Sequence, residues 1–271
     1  MGDDFGLAAA GYVIDWQRPW LQPLLPVGPA VERAAASSGV AAALSAVAAA
    51  THCPVHFTAP DAAPPGEAYE AFIRRTGGVP TRDNLHDLFN GLVWWRFPRT
   101  KAQLNRLQAE AIAAQGVGAV RGPVRDAITV FDENGAVLVA PTAVADVLWP
   151  ALLARDWHTL FVTHRALWAQ ARLVLVGHAL MEQLVAPRKS LTAHVWVHAF
   201  EPFAAEGADP FPALDAALAA DISAAKLATK PFTPLPVLGT PGWWPDNEDP
   251  GFYADTSVFR PARQPLATVS P

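Results

Sequence analysis

The spacing of apolar positions along the chain predicts more helix than strand. Leu85, Leu88, Phe89 and Leu92 recur at helical intervals behind Asp83, which reads as an N-cap. A helix is therefore expected from there to about Phe97, with Pro98 ending it. Thr100 and Gln103 read as a capping box for a second helix over about 101–115, closed by Gly116. The Ala- and Val-rich residues 31–50, residues 142–154 and 159–170, and an Ala-rich run at 212–228 supply further helices. Shorter ones are expected over Tyr69–Arg75, stopped by Gly77-Gly78, and over 178–185, stopped by Pro187.

Strand candidates are few and short: Val55–Thr58, Arg172–Val176 and Ala193–Ala199. Ile128–Phe131 and Ala136–Ala140 flank Asp132-Glu133-Asn134-Gly135, and Asn-Gly between two apolar runs predicts a β-hairpin. Prolines at 19, 23, 26 and 29 predict that residues 15–30 form an extended arm with Trp16 and Trp20 docked on the body. Residues 59–66 read as a loop, and nine prolines leave the segment 231–271 without periodicity. With no internal repeat and no clear linker, the expectation is a single domain over 1–271. Its class is α+β and helix-rich, with a few short strands, one hairpin and proline-rich terminal arms.

Composition narrows the function classes. A 271-residue chain that is 51% hydrophobic and 17% charged fills an interior without needing disulfides or a structural metal. Its net charge of −5 disfavours a general nucleic-acid binder. Cys53 is the one cysteine, so no intramolecular disulfide forms. The apolar run Gly39–Ala50 is too short to span a bilayer. The acidic start Met1-Gly2-Asp3-Asp4 is the reverse of a signal peptide's basic region, and Gly6 breaks a myristoylation motif. A cytoplasmic protein with no membrane association is expected.

Four segments carry candidate chemistry. His86 and Asn90 sit one turn apart on a predicted helix and share a face. They either serve a site or satisfy the backbone of a neighbouring loop. His178 and Glu182 have the same spacing directly after a buried strand, where α/β proteins often place active groups. They are candidate ligands for a divalent metal, or a pair in which the carboxylate orients the imidazole. Ionisable groups in so apolar a run predict that Glu182 is buried with a partner. Arg96, Arg99, Lys101 and Arg106 form a basic run, and Pro187-Arg188-Lys189 forms a basic turn. Arg99, Lys101 and Lys189 are therefore candidate ligands of a small anion, with Lys101 at a helix start whose N–H groups favour negative charge. The alternative is solvated surface. Trp243, in Pro241-Gly242-Trp243-Trp244, is a candidate pocket wall or a clamp over the core. Cys53, beside His52 and His56, reads as a packing residue.

Several of these segments together resemble a known family. His86-Asp87-Leu88-Phe89-Asn90, Trp94, Phe97-Pro98-Arg99-Thr100-Lys101 and Asn105 form the first block. Gly177-His178-Ala179-Leu180, Glu182 and Pro187-Arg188-Lys189 form the second, and Pro241-Gly242-Trp243-Trp244 with Asn247 the third. The chain is similar in these blocks to a bacterial domain-of-unknown-function family, number 3025, over about Trp16 to Arg263. The resemblance implies a bacterial protein and supplies no activity, substrate or catalytic residue.

The expectation from the residues is an enzyme with a pocket built from His86, Asn90, His178 and Glu182, and an anionic rim ligand held by Lys101 and Lys189. The reaction is hydrolysis or proton transfer on a small anionic substrate, with a divalent metal as candidate cofactor. The alternative is a non-catalytic binding or scaffold protein in which these groups form a buried polar network. On the enzyme reading, the His86 and His178 segments meet in space.

Overall fold

The computed structural model describes residues 13–51, 53–116, 122–201 and 209–262. The proline-dense arm is coiled, contrary to the extended form expected. Pro19–Leu24 is a 3-10 helix that buries Trp20, Leu21 and Leu24. Helix α1 (Gly28–Ser38) follows, with Pro29 in its first turn, where a missing N–H costs nothing. Gly39 at φ +81° then breaks the expected helix over 31–50, and α2 (Val40–Thr51) restarts it. Asp83 caps that restart: its Oδ1 accepts the Val40 N–H at 2.7 Å.

Strands β1 (His56–Thr58) and β2 (Gly78–Pro80) form a small parallel pair around α3 (Tyr69–Thr76). Helix α4 (Leu85–Arg96) is capped by Asn84, which accepts from Asp87 N, because Asp83 is engaged elsewhere. Helix α5 (Pro98–Gln115) starts three residues earlier than expected and uses no capping box. The Asp215 carboxylate accepts the N–H groups of Arg99 and Thr100 at 2.9 and 2.8 Å. The helix start thus already holds an anion, and it belongs to the chain itself.

The hairpin is the largest correction. Residues 123–134 form α6 (Pro123–Asn134), not a strand and turn. Pro123 occupies the first turn, and Ala127, Ile128 and Phe131 bury at helical spacing. Gly135 sits at φ −77°, ψ 149°, an extended conformation, whereas a type I′ turn needs positive φ there. Gly135 instead begins β3 (Gly135–Ala140), all six residues of which are buried. Beyond α7 (Thr142–Ala154) the helix expected over 159–170 is a π turn at Thr159–Thr163 and a 3-10 turn at Arg165–Ala169. Next come β4 (Arg172–Leu175), α8 (His178–Gln183) and β5 (Thr192–Ala199). The Ala-rich run at 212–228 is two helices, α9 (Phe211–Asp221) and α10 (Ala224–Ala228), with the second capped by Ser223. Strand β6 (Thr233–Pro236) gives the aperiodic C-terminal segment one regular element, followed by 3-10 turns.

The larger sheet has the order β4-β3-β5-β6, with β3 and β5 parallel and the outer pairs antiparallel. Helix-rich α+β is the class observed. One apolar cluster runs from Trp16 and Trp20 through β3 and β5 to Phe259. Among the described residues no helix is long and apolar enough to cross a membrane.

Two glycines decide where the polar groups go. Gly135 and Gly177 bring the α6–β3 and β4–α8 junctions into backbone contact. The Gly135 carbonyl accepts from Val176 N at 3.0 Å and Gly177 N at 2.8 Å. A Cβ on Gly177 would lie 2.4 Å from Gly135 N, so nothing larger fits. This contact sets the last turn of α6, with Asp132 and Glu133, beside His178 at the first position of α8.

Candidate functional site

Helices α3, α4, α5, α6 and α8 surround a cavity of about 460 Å³, a size suited to a small ligand. At one end, α4 contributes His86 and α8 contributes His178. Their Nε2 atoms face each other at 3.1 Å, with the rings edge-on. The two segments expected to meet therefore do so. Glu182 Oε2 lies 3.1 Å from His86 Nδ1. Glu133 Oε2 lies 3.7 Å from His178 Nε2, and Asp132 Oδ2 lies 3.8 Å from His178 Nδ1.

The Glu182 contact fixes one imidazole role. A carboxylate only accepts, so Glu182 places a proton on His86 Nδ1. Asp132 Oδ2, at 3.8 Å, lies beyond hydrogen-bond reach of His178 Nδ1, which has no partner, and acts on that ring through its charge alone. The 3.1 Å contact between the two Nε2 atoms is a hydrogen bond when one of them carries a proton, and the same pair can converge on a metal ion when neither does. Glu133 completes the set: one ligand atom each from His86, His178 and Glu133 lie within 4.8 Å of one another. Two imidazole nitrogens bound to zinc at about 2.0–2.1 Å with tetrahedral angles stand roughly 3.3 Å apart, close to the spacing seen. Glu182 holds the distal nitrogen of His86, as the outer carboxylates of His-ligated metal centres do. Of the pair expected from sequence, His178 and Glu182, only His178 offers an atom to this group. Glu182 sits behind His86, and Glu133 takes the inner place.

Burial drives His178 down to about 4, against the pull of Asp132, so the ring is neutral at pH 7. The hydrogen bond to Glu182 raises His86 above its ordinary value. Burial raises Glu133. For Asp132, burial pulls upward, but Lys101 and the two histidines outweigh it and hold the carboxyl below its ordinary value.

Lys101 is not at an open rim. It is buried, and its Nζ donates to Asp132 Oδ1 and, at 2.9 Å, to Asn90 Oδ1. Asn90 donates onward to the Tyr69 hydroxyl at 3.3 Å, so both Asn90 and Lys101 line the cavity. The Tyr69 residue is 41% exposed, but its hydroxyl end turns inward to Asn90; burial there, then Asp87 and Asp132, raises the phenol, so it keeps its proton. Asp87, buried, binds the guanidinium and backbone N–H of Arg82. Glu182 differs from expectation in exposure: its side chain is 39% exposed, though paired.

The remaining predicted residues lie elsewhere. Lys189 pairs with Asp255 at 3.1 Å and sits over the Phe252 ring, and it does not line the cavity. Arg99 is exposed and engages Asp215 through its backbone N–H. Trp243 packs against Trp20 and lines a second hollow with Trp168. The anion rim of Lys101 and Lys189 is therefore not assembled. Cys53 is half-buried, its thiol raised by burial and 3.5 Å from the Trp94 carbonyl, as a packing residue would be. His52 lies outside the described residues. Asp132 and Glu133 were missed because Asn134-Gly135 signals a turn. The helical spacing of Ala127, Ile128 and Phe131 behind Pro123 was the signal that finds them.

No curated protein matches the chain, and no solved structure does. One family model matches residues 55–263, a shorter span than the resemblance from Trp16 implied. It is described as a protein of unknown function, DUF3025, and because the match covers most of the sequence, the chain belongs to that family.

Proposed function

We propose that this protein is a metal-assisted hydrolase of small molecules, with a divalent ion held by His86, His178 and Glu133. The observation that carries the reading is the convergence of two imidazole Nε2 atoms and a carboxylate, with His86 backed by a second carboxylate at its Nδ1. Three protein ligands leave a position facing the cavity, as catalytic zinc sites do. A divalent ion there lowers the pKa of water and polarises a carbonyl oxygen. Glu182 orients the His86 ring through its Nδ1, and burial keeps His178 neutral. Tyr69, which holds its proton, is a donor within the same cavity for charge developing on the substrate oxygen. The net chemistry adds water across a C–N or C–O bond. The oxygen goes to the acyl carbon, and the released proton goes to the leaving group. No oxidant or reductant is needed.

The reading takes the bacterial cytoplasm as the compartment, supported by the lone cysteine and the family resemblance. The test uses full-length protein, stripped of metal and reloaded with zinc, against a panel of small esters and amides. About one zinc per chain and zinc-dependent turnover are expected, with both lost in His178→Ala and turnover lost in Glu133→Gln. Failure of wild-type protein to bind zinc, manganese or iron(II) overturns the reading.

A further inference from the structure

The end of the cavity formed by α3 and α5 has a different chemistry from the His86–His178 end. Glu70, Asn105 and Gln108 line it. Gln108 Nε2 donates to Glu70 Oε1 at 3.2 Å, and Asn105 Nδ2 donates to the Glu70 carbonyl at 2.9 Å. Because a carboxylate and a carbonyl only accept, both amide orientations are set by these contacts. Each amide donates one N–H to residue 70, which turns its oxygen away from that residue. Gln108 is 5% exposed, and its Oε1 has no protein partner. A buried acceptor without a donor is destabilising, so a ligand donor is the natural complement. The wall therefore offers a carboxylate and two amide oxygens.

Charge points the same way. Elsewhere in the cavity Lys101 is matched by Asp132 and Arg82 by Asp87. Glu133 belongs to the proposed metal set. Among the described residues no cationic side chain pairs with Glu70, which leaves it the uncompensated charge of this wall.

We infer that the substrate carries a cationic nitrogen group, an ammonium or guanidinium, bound by Glu70, Asn105 and Gln108. The inference rests on the metal-assisted reading for what happens at the far end, where the scissile carbonyl sits. A group with several N–H donors and a positive charge satisfies these acceptors and neutralises Glu70, whereas a carboxylate or phosphate is repelled by Glu70 and leaves the Gln108 oxygen without a donor.

The test is calorimetric titration of zinc-loaded full-length protein with butylguanidine, butylamine, butyrate and butyl phosphate, four probes sharing one alkyl arm. The two cations bind at least tenfold more tightly than the two anions. Glu70→Gln weakens cation binding at least tenfold, and Glu70→Lys reverses the preference, with zinc affinity unchanged in both. Zinc bound normally with no preference for the cations, or a Glu70→Gln protein that binds them as wild type does, overturns this inference alone. Absence of zinc binding overturns the earlier reading, and cation selectivity is still measurable on that protein.

Discussion

Gly177 donates its backbone N–H to the Gly135 carbonyl at 2.8 Å, and the two glycines approach too closely for any side chain on Gly177. This contact joins the strand-to-helix turn that presents His178 to the helix-to-strand turn that presents Glu133. Gly177→Ala places a methyl group 2.4 Å from Gly135 N and 2.6 Å from the Glu133 carbonyl oxygen. Both contacts are with backbone, so the junctions must separate. The expected cost is about 1–3 kcal/mol by urea unfolding, together with a loss of zinc affinity. A variant with wild-type stability and wild-type zinc binding contradicts this account of how the site is assembled.

Glu182 acts through His86 and is a positioning residue. Its side chain is 39% exposed, so removing its charge exposes no buried partner. Glu182→Gln is expected to change stability by less than about 1 kcal/mol. The amide oxygen can still accept from His86 Nδ1, but loss of the carboxylate charge that raises the basicity of the ring lowers zinc affinity about 10-fold or more. Competition titration with a chromophoric chelator measures the second effect, and chemical unfolding the first. A large stability loss with unchanged zinc affinity would show that the contact is structural.

The readable parts of the fold are those that local periodicity determines. The run from Leu85 to Gln115 holds its two helices because apolar spacing and Pro98 agree there. The sequence of strand, Gly177 and short helix located His178, and the one-turn spacing found His86 with Asn90. What local signals could not supply is which partner each polar group meets across the fold. Asp83 caps a helix forty residues earlier, and Asp215 caps one more than a hundred residues earlier. Lys101 looked like an exposed cation until α6 placed Asp132 against it. The α6 error arose from one dipeptide, Asn134-Gly135, whose turn signal outweighed a helical face. The same error hid Glu133 from the metal set. In the C-terminal segment, order comes from Asn247, which is fully buried and donates to the carbonyls of Leu238 and Thr240. A side-chain clamp of that kind has no periodicity to detect.

Lys101 and Asp132 form an ion pair whose cation is buried and whose anion faces the histidines. Lys101→Met keeps the length of the side chain and strands Asp132 and the Asn90 carbonyl. Breaking one side of a buried pair costs more than the pair contributes. The expected loss is about 3 kcal/mol in urea unfolding, and adding Asp132→Asn to the same chain recovers more than half of it. No recovery in the double variant would mean that Lys101 contributes through packing on Trp94, which it overlies at 5.5 Å, and not through charge.

Away from the cavity, Asp221 gives a pH-dependent contribution with a defined sign. Its Oδ2 accepts from Lys226 Nζ at 2.6 Å and Trp196 Nε1 at 2.9 Å, and His198 Nδ1 stands 3.6 Å away. Burial pulls the carboxyl upward, but Lys226, Trp196 and His198 outweigh it, and its folded value lies below the ordinary 3.8. A carboxyl depressed on folding binds fewer protons in the folded state than in the unfolded one. Its contribution is therefore full above the unfolded value and disappears as pH falls through the folded value. With the side chain 30% exposed, solvent screening limits that contribution to about 1 kcal/mol. Asp221→Asn is accordingly less stable than wild type at pH 7 by about that amount, and the gap narrows once pH drops below about 4. Paired urea titrations of both proteins across that range measure it. A gap that stays constant down to pH 2 would show that hydrogen bonding to Trp196, and not the charge, is what Asp221 contributes.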